Sequence, residues 1–218
     1  MFNWLFSKSR LRVFEDSFAR TRPSMLRGLC SAIDQRLSVG RKVLVLTHFP
    51  DAFEELQDEL AAQQIDYELL DRKIFPVQLQ QLLEGAGNVY LGLAEFLNES
   101  EQIVTSGSNS ILSVIVAERH PSARFDNQIE SFFRASNCNV ELGYLLSFED
   151  STLQIIVNES ALKIFDMFGM GENELVTSNM ISRRIQVIQN RLARQIETNY
   201  AADSAAQWLR LNQPAAND

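Results

Sequence analysis

The amino-acid sequence predicts an α/β domain with a parallel sheet, followed by an α-helical extension. Three observations lead to this fold class. Short apolar runs alternate with amphipathic helical segments at the spacing of βαβ units. Residues 43–46 are all apolar, as expected for a strand that is covered by helices on both faces. After Glu149 the strand pattern stops, and only helical periodicity remains.

We divide the chain into a basic N-terminal segment (1–19), the α/β domain (20–150), the helical extension (151–212) and a tail (213–218). In the domain, helices are predicted at 24–38, from Pro50 onward, at 76–85 and at 124–135. Ser24 is the candidate N-cap of the first helix, and the acids after Pro50 suit the positive end of a helix dipole. Strands are predicted at 43–46, 65–70, 88–93, 111–117 and 144–148.

The extension is predicted to contain a helix at 160–170 and one long helix at 178–212. The long helix has apolar residues every three or four positions and contains neither proline nor glycine. Its outer part would reach beyond the α/β domain, where an exposed apolar stripe marks an interface. We therefore expect a homodimer or a partner protein to contact five residues, Ile185, Ile188, Leu192, Ile196 and Tyr200. The alternative is a helix that breaks near Asn199 and folds back as a hairpin.

Charge is unevenly distributed along the chain. The 218 residues carry a net charge of −8, but residues 1–42 hold nine Lys or Arg against three acids. An acidic chain argues against nucleic acid as the main ligand. The start of the chain, 1–12, combines aromatic and basic residues, so we expect it either to contact an anionic membrane surface or to dock on the acidic remainder. It does not have the form of a signal peptide, and we expect a cytoplasmic protein with peripheral contact at the inner membrane.

Motifs for catalysis and metal binding are absent from the sequence. Neither a GxxxxGK[ST] phosphate loop nor a GxGxxG pattern is present. His48 follows a predicted strand without acidic or thiol neighbours, so we interpret it as structural or solvent-facing. The two cysteines, Cys30 and Cys138, are too few for a disulfide framework and are expected to be free thiols. We therefore expect no catalytic residue, no metal and no cofactor.

The segment from 117 to 128 contains the most specific pattern in the chain. Glu118, Arg119 and His120 follow a predicted buried strand, which makes them either a functional site or a polar cluster that fixes the next loop. The segment reads AERHPSARFDNQ, and residues 146–150 read LSFED. These two stretches resemble TERHESRRIDNQ and LSMED in the second nucleotide-binding fold of SecA, the bacterial preprotein translocase motor. The matching residues are Glu118, Arg119, His120, Asp126, Asn127, Gln128, Glu149 and Asp150.

The resemblance extends over residues 20–212 and includes the start of the helical scaffold of the SecA family. It implies a RecA-like domain of the type found at the C-terminal end of helicase motors. It also implies protein translocation as the process and the translocation machinery as the partner.

The departures from the family concern the residues that act on nucleotide. After Gln128 the family has an arginine-rich stretch, two of whose arginines act on ATP phosphates. Here Glu130, Phe132 and Ala135 stand at arginine positions, and Arg134 is displaced by one. An arginine that acts on a transferring phosphate contributes about 10³–10⁵ in rate, and a carboxylate in its place repels phosphate. Upstream, the acidic segment 92–103 replaces a glycine-containing nucleotide loop.

The resemblance, taken with these losses, implies a SecA-like module that binds or regulates without catalysing ATP hydrolysis. The alternative is an ATPase half-subunit that completes a nucleotide site together with a separate chain carrying the phosphate loop. A role in which the chain binds SecA, the translocon or a preprotein is compatible with the first interpretation.

Overall fold

The computed structural model describes residues 10–98, 110–136, 138–156, 171, 174–196 and 198–212. The strands are β1 (Leu11–Val13), β2 (Ser17–Ala19), β3 (Lys42–Thr47), β4 (Glu68–Leu70), β5 (Val89–Leu93), β6 (Ile111–Val116), β7 (Asn139–Ser147) and β8 (Val176–Thr177). The helices are α1 (Arg22–Ser38), α2 (Pro50–Ala62), α3 (Leu79–Glu84), α4 (Ala123–Ala135), α5 (Ser151–Ile156), α6 (Asn179–Gln195) and α7 (Ala205–Asn212). Single 3₁₀ turns occupy Pro76–Gln78 and Ala94–Phe96.

The strands form one mixed, mainly parallel sheet, which confirms the predicted fold class. Its order is β4-β5-β3-β6-β7-β2-β8, and every pair up to β7 is parallel. β7 is long enough to pair with two short strands in succession, β1 along its first half and β2 along its second half. β8 closes the sheet antiparallel to β2. Two strands therefore precede residue 20, and the domain begins earlier than the sequence predicted.

Helices cover both faces of this sheet. On one face, α1 and α2 pack against the alternate positions Val43 and Val45 of β3. On the other face, α3, α4 and α6 pack against Leu44 and Leu46. This two-sided burial is the reason why β3 is continuously apolar. Each such side chain contributes about 1.5–3 kcal/mol by leaving water.

α1 begins earlier than the sequence predicted. Its N-cap is Thr21 rather than Ser24, because the Thr21 side chain accepts a hydrogen bond from the backbone N–H of Ser24. α2 begins at Pro50 with Asp51 in its first turn, as expected from the helix dipole. These two helix starts lie at the end of the sheet where the residues that match SecA are found.

The prediction of one long helix at 178–212 is wrong. α6 ends at Gln195, and α7 begins at Ala205 after a reversal of the chain. The reason is that Ile196 turns inward and joins an apolar cluster with Phe49, Trp208 and Leu209. A straight helix would leave these side chains in water.

Polar groups fix the connection between α6 and α7. Ser204 lies before α7 and accepts a hydrogen bond from the backbone N–H of Gln207, at 3.4 Å. Asn199 accepts another from Nε1 of Trp208, at 2.8 Å. The hairpin alternative near Asn199 therefore describes the chain correctly.

The expected interface stripe is mostly used inside the chain. Ile185 and Ile196 are buried, and Ile188 and Leu192 pack against the apolar clusters of the domain. Only Tyr200 of the five is largely exposed, at 60%. The expectation that this stripe extends unpaired beyond the α/β domain is therefore wrong.

Several predicted segments lie outside the described residues. These are residues 1–9 of the basic segment, residues 99–103 of the acidic segment, the helix at 160–170 and the tail at 213–218. None of the helices in the described part is both long and apolar enough to cross a bilayer.

Candidate functional site

The residues that match SecA converge at the carboxyl ends of parallel strands. We define the carboxyl edge as residues 48–50 after β3, 117–122 after β6 and 148–150 after β7. Parallel α/β sheets place their ligands at such an edge. The first turns of α1 and α4 also reach it, and they bring Arg22 and Asp126 to the same place.

A buried polar network is centred on Asp126. Its carboxylate accepts hydrogen bonds from Nη1 of Arg119 at 3.0 Å and from Nε2 of Gln189 at 2.7 Å. Nε2 of His48 lies 2.8 Å from its other oxygen, which also faces the backbone N–H of His120. Burial alone would raise the pKa of Asp126, but Arg119 and these hydrogen bonds hold it well below its ordinary value. Asp126 is therefore an ionised acceptor with every partner inside the protein, and His48, for which the sequence showed no acidic neighbour, is one of these partners.

Arg119 is held inside this network by both of its terminal nitrogens. A second carboxylate, Asp16, accepts a hydrogen bond from its Nη2. The guanidinium carbon lies 3.4 Å from the ring centroid of Tyr144, in a cation–π contact. The side chain is only 7% exposed. Arg119 is thus held by two carboxylates and one aromatic face, and it does not reach solvent as a phosphate ligand would.

His120 is part of an aromatic cluster at the carboxyl edge. Its ring centroid lies 4.0 Å from that of Phe125, 4.6 Å from that of Trp208 and 5.1 Å from that of Phe49. Nδ1 accepts a hydrogen bond from the backbone N–H of Ser122. Burial, together with His48, lowers the pKa of His120 well below its ordinary value. The ring is therefore neutral and supports the packing of α7.

Arg22 is the second cation at the carboxyl edge, and it is also neutralised. Its Nε donates to Glu55 at 2.7 Å, and its Nη1 donates to Asp150 at 2.9 Å. Its backbone N–H donates to Glu149 at 2.7 Å. Three carboxylates thus bind Arg22, two at its guanidinium and one at its backbone N–H, so this region carries an excess of negative charge.

Two of the acids at this edge have raised pKa values. Glu118 is buried and accepts hydrogen bonds from the backbone N–H groups of His48, at 2.8 Å, and Phe49, at 3.0 Å. Burial outweighs these bonds and raises the pKa of Glu118 to about 7. Burial also raises the pKa of Asp150 to about 6, although Arg22 opposes the shift.

Two clefts open at the carboxyl edge. The smaller has a volume of about 300 Å³, and its charged lining residues are Arg22, Asp51, Glu55, Glu118, Glu149 and Asp150. The larger, of about 540 Å³, lies between the aromatic cluster and Gln128, with Glu95 and Asp203 among its lining residues. Asn127 is exposed on α4. Among the described residues that line the two clefts, Arg22 is the sole lysine or arginine.

The chain shares sequence with SecA from distant bacteria. It is 25% identical over 185 residues to SecA of Lachnoclostridium phytofermentans, covering 82% of this chain and 21% of that protein. It is 26% identical over 187 residues to SecA of Desulfotalea psychrophila, covering 82% and 22%. The resemblance to SecA is confirmed. The chain spans about one fifth of the length of these curated SecA proteins.

The chain was also compared with protein-family models and with solved structures. No family model matches the chain. Among solved structures, the C-terminal part of the Fun30 ATPase domain aligns with a TM-score of 0.43 and 15% identity, over 77% of this chain and 54% of that one. The parallel sheet between two helical layers is the RecA-like arrangement that the resemblance to SecA implied.

The positions where SecA has arginines are helical in this chain. Phe132 is completely buried in the core beneath α4, and Ala135 is the last residue of that helix. Arg134 forms an ion pair with Glu130 one turn earlier, at 3.0 Å, and is half exposed. An apolar core side chain and an internal ion pair thus occupy the segment for which the resemblance implied arginines.

The two free thiols lie away from these clefts. Cys30 and Cys138 are buried, and burial raises the pKa of the Cys30 thiol to about 11. In the part of the chain that the structure describes, no group of three or more His, Cys, Asp or Glu could hold a metal ion.

Sequence reasoning missed three residues that complete the site. Asp16 pairs with Arg119, Arg22 joins Glu55 to Asp150, and Gln189 reaches Asp126 from α6. Each lies far along the chain from its partners, so no local pattern indicates the contact. A signal exists for Arg22 alone, since it directly precedes Pro23, and proline is common in the first turn of a helix.

Proposed function

We propose that the chain is a SecA-like, non-catalytic binding or regulatory module that acts in protein translocation. The observation that supports it is the charge of the carboxyl edge. Arg22 and Arg119 are both neutralised by carboxylates, and apart from Arg22 every described Asp, Glu, Lys or Arg that lines the two clefts is an acid. A phosphate site requires cations or N–H donors that are free to face the ligand.

The C-terminal hairpin supports the same proposal. Trp208 and Leu209 of α7 are buried against Phe49 and the ring of His120, and they cover part of the carboxyl edge. Part of the surface that would face a second nucleotide-binding fold is thereby packed within this chain. A module of this kind recognises a protein of the translocation machinery and works in the cytoplasm, peripherally at the inner membrane.

Calorimetric titration with Mg-ATP and Mg-ADP at millimolar concentration tests the absence of nucleotide binding. We expect no heat of binding. A dissociation constant below about 100 μM, equivalent to more than roughly 5 kcal/mol, would contradict the proposal and support the ATPase half-subunit. In that event an Arg22→Gln variant shows whether the carboxyl edge holds the nucleotide, because Arg22 is the cation that lines it.

The role in translocation is tested in the native cell. Deletion of the gene should change the amount of unprocessed secretory precursor, and the wild-type gene should restore it. The Trp208→Ala variant, which uncovers the carboxyl edge, serves as a comparison at equal protein level. Unchanged precursor processing in the deletion strain, in the presence of another clear growth defect, would place the protein in a different process.

A further inference from the structure

The outer face of α6 carries four exposed arginines, Arg183, Arg184, Arg191 and Arg194. Met180 and Val187 lie among them and are 62% and 68% exposed. At 3.6 residues per turn, all six fall within an arc of about 100°. We call this set the arginine face. It lies opposite the buried side of the helix, which includes Ile181, Ile185 and Gln189.

The arginines of this face lack, within the described part of the chain, the counter-charges that four other arginines of the fold have. Arg22, Arg41, Arg119 and Arg134 are all in ion pairs. Among the described residues, no carboxylate forms an ion pair with any arginine of the face, and α6 itself contains no acid. Four positive charges are thus gathered on one surface of a chain whose net charge is −8.

Basic and apolar groups continue from this face onto the neighbouring strand. Nδ2 of Asn179, at the start of α6, donates a hydrogen bond to Glu15, just after β1. Beside it, the guanidinium of Arg12 lies 4.5 Å from the ring centroid of Phe14. Val13 and Phe14 are 40% and 37% exposed. The region around the start of α6 therefore combines cations with exposed apolar side chains.

We propose that the arginine face docks on the surface of an anionic lipid bilayer. Anionic headgroups attract the guanidinium groups, and the boundary between headgroups and acyl chains accepts Met180 and Val187. The helix exposes this face along its whole length, which suits a flat partner. An acidic protein segment would neutralise the arginines but would offer no apolar surface to Met180 and Val187. This surface is separate from residues 1–12 and from the clefts at the carboxyl edge.

Flotation of the full chain with vesicles tests the proposal. Vesicles contain phosphatidylcholine alone or with about one third phosphatidylglycerol. We expect the wild type to float only with the anionic vesicles and to be released by about 0.5 M salt, which shortens the range of the charges. The Arg191→Gln/Arg194→Gln variant should bind about 30-fold more weakly, because each cation near such a surface contributes about a factor of five.

The matched control is Arg72→Gln/Lys73→Gln, which removes the same charge from exposed positions just after β4. It should bind within about twofold of the wild type, since these cations lie at the sheet edge formed by β4. Circular dichroism and thermal melting verify that each variant is folded.

A third variant, Met180→Ser/Val187→Ser, separates a bilayer from an acidic protein. It should weaken binding to anionic vesicles but leave binding to soluble polyglutamate unchanged. The proposal is overturned if the wild type does not float with anionic vesicles or if the Arg191→Gln/Arg194→Gln variant floats as well as the wild type. Binding to polyglutamate without binding to vesicles overturns it as well and indicates an acidic protein as the partner.

Discussion

The buried carboxyl of Glu118 makes the stability of the fold depend on pH near neutrality. Burial raises its pKa from 4.5 to about 7 in the folded protein. The folded state therefore binds this proton more tightly than the unfolded state does. The resulting stabilisation is fully present below pH 4.5 and is lost as the pH rises through about 7. At about 1.4 kcal/mol for each tenfold change in proton affinity, the loss is about 3 kcal/mol.

The Glu118→Gln variant removes this dependence and preserves the local geometry. Its amide oxygen can still accept from the backbone N–H groups of His48 and Phe49. Between pH 5 and pH 8, the free energy of unfolding of the wild type should fall by about 2–3 kcal/mol more than that of the variant. Urea unfolding at the two pH values, followed by circular dichroism, measures the difference.

Two comparisons make the result specific. The Glu55→Gln variant should keep the pH dependence of the wild type, because Glu55 is partly exposed. Asp150, whose pKa is raised to about 6, adds a loss of the same sign in all three proteins. If Glu118→Gln and the wild type lose the same free energy between pH 5 and pH 8, then Glu118 is ionised in the fold at both values and the reasoning fails.

Three further substitutions test the packing of the site by urea unfolding. Arg119→Met leaves Asp16 and Asp126 buried without their cation and should cost about 3–5 kcal/mol; a smaller change than 1 kcal/mol would mean that water reaches these carboxylates. Trp208→Ala removes a buried ring beside the carboxyl edge and should cost about 3–5 kcal/mol. Tyr200→Ala, at an exposed position of the same hairpin, should change stability by less than about 0.5 kcal/mol, and equal costs for the two aromatic variants would contradict the described packing.

The fold could be predicted from the sequence where burial alone decides local structure. β3 is apolar on both faces because it lies between two helical layers, and α2 begins at Pro50 with an acid in its first turn. β1 and β2 could not be predicted, since each is only three residues long and takes its hydrogen bonds from distant strands, β1 from β7 and β2 from β7 and β8. These two strands form because of contacts with residues that are distant in the sequence, so no local pattern predicts them.

The C-terminal helices show where periodicity misleads. The apolar spacing from Ile181 to Tyr200 continues past the end of α6 at Gln195. Ile196 fits this spacing, but it is apolar because it packs in the cluster with Phe49, Trp208 and Leu209. Asp203 and Ser204, directly before α7, are the available signal, since such residues are typical of a helix start. At the site, Glu118 and Asp126 could be found from the resemblance to SecA, whereas the tertiary contacts of Asp16 and Gln189 had no local indication.

The long reach of the polar network has a consequence for how the protein is made. Arg22 and its partner Asp150 are separated by 128 positions, Arg119 and Asp16 by 103, and Gln189 and Asp126 by 63. Such distant contacts slow folding, because the loops between them must close before any contact is gained. During synthesis, Asp16 leaves the ribosome long before its partner Arg119 is made. Asp126 likewise has no contact with Gln189 until α6 has been synthesised. The polar network of the growing chain therefore remains incomplete until α6 is available.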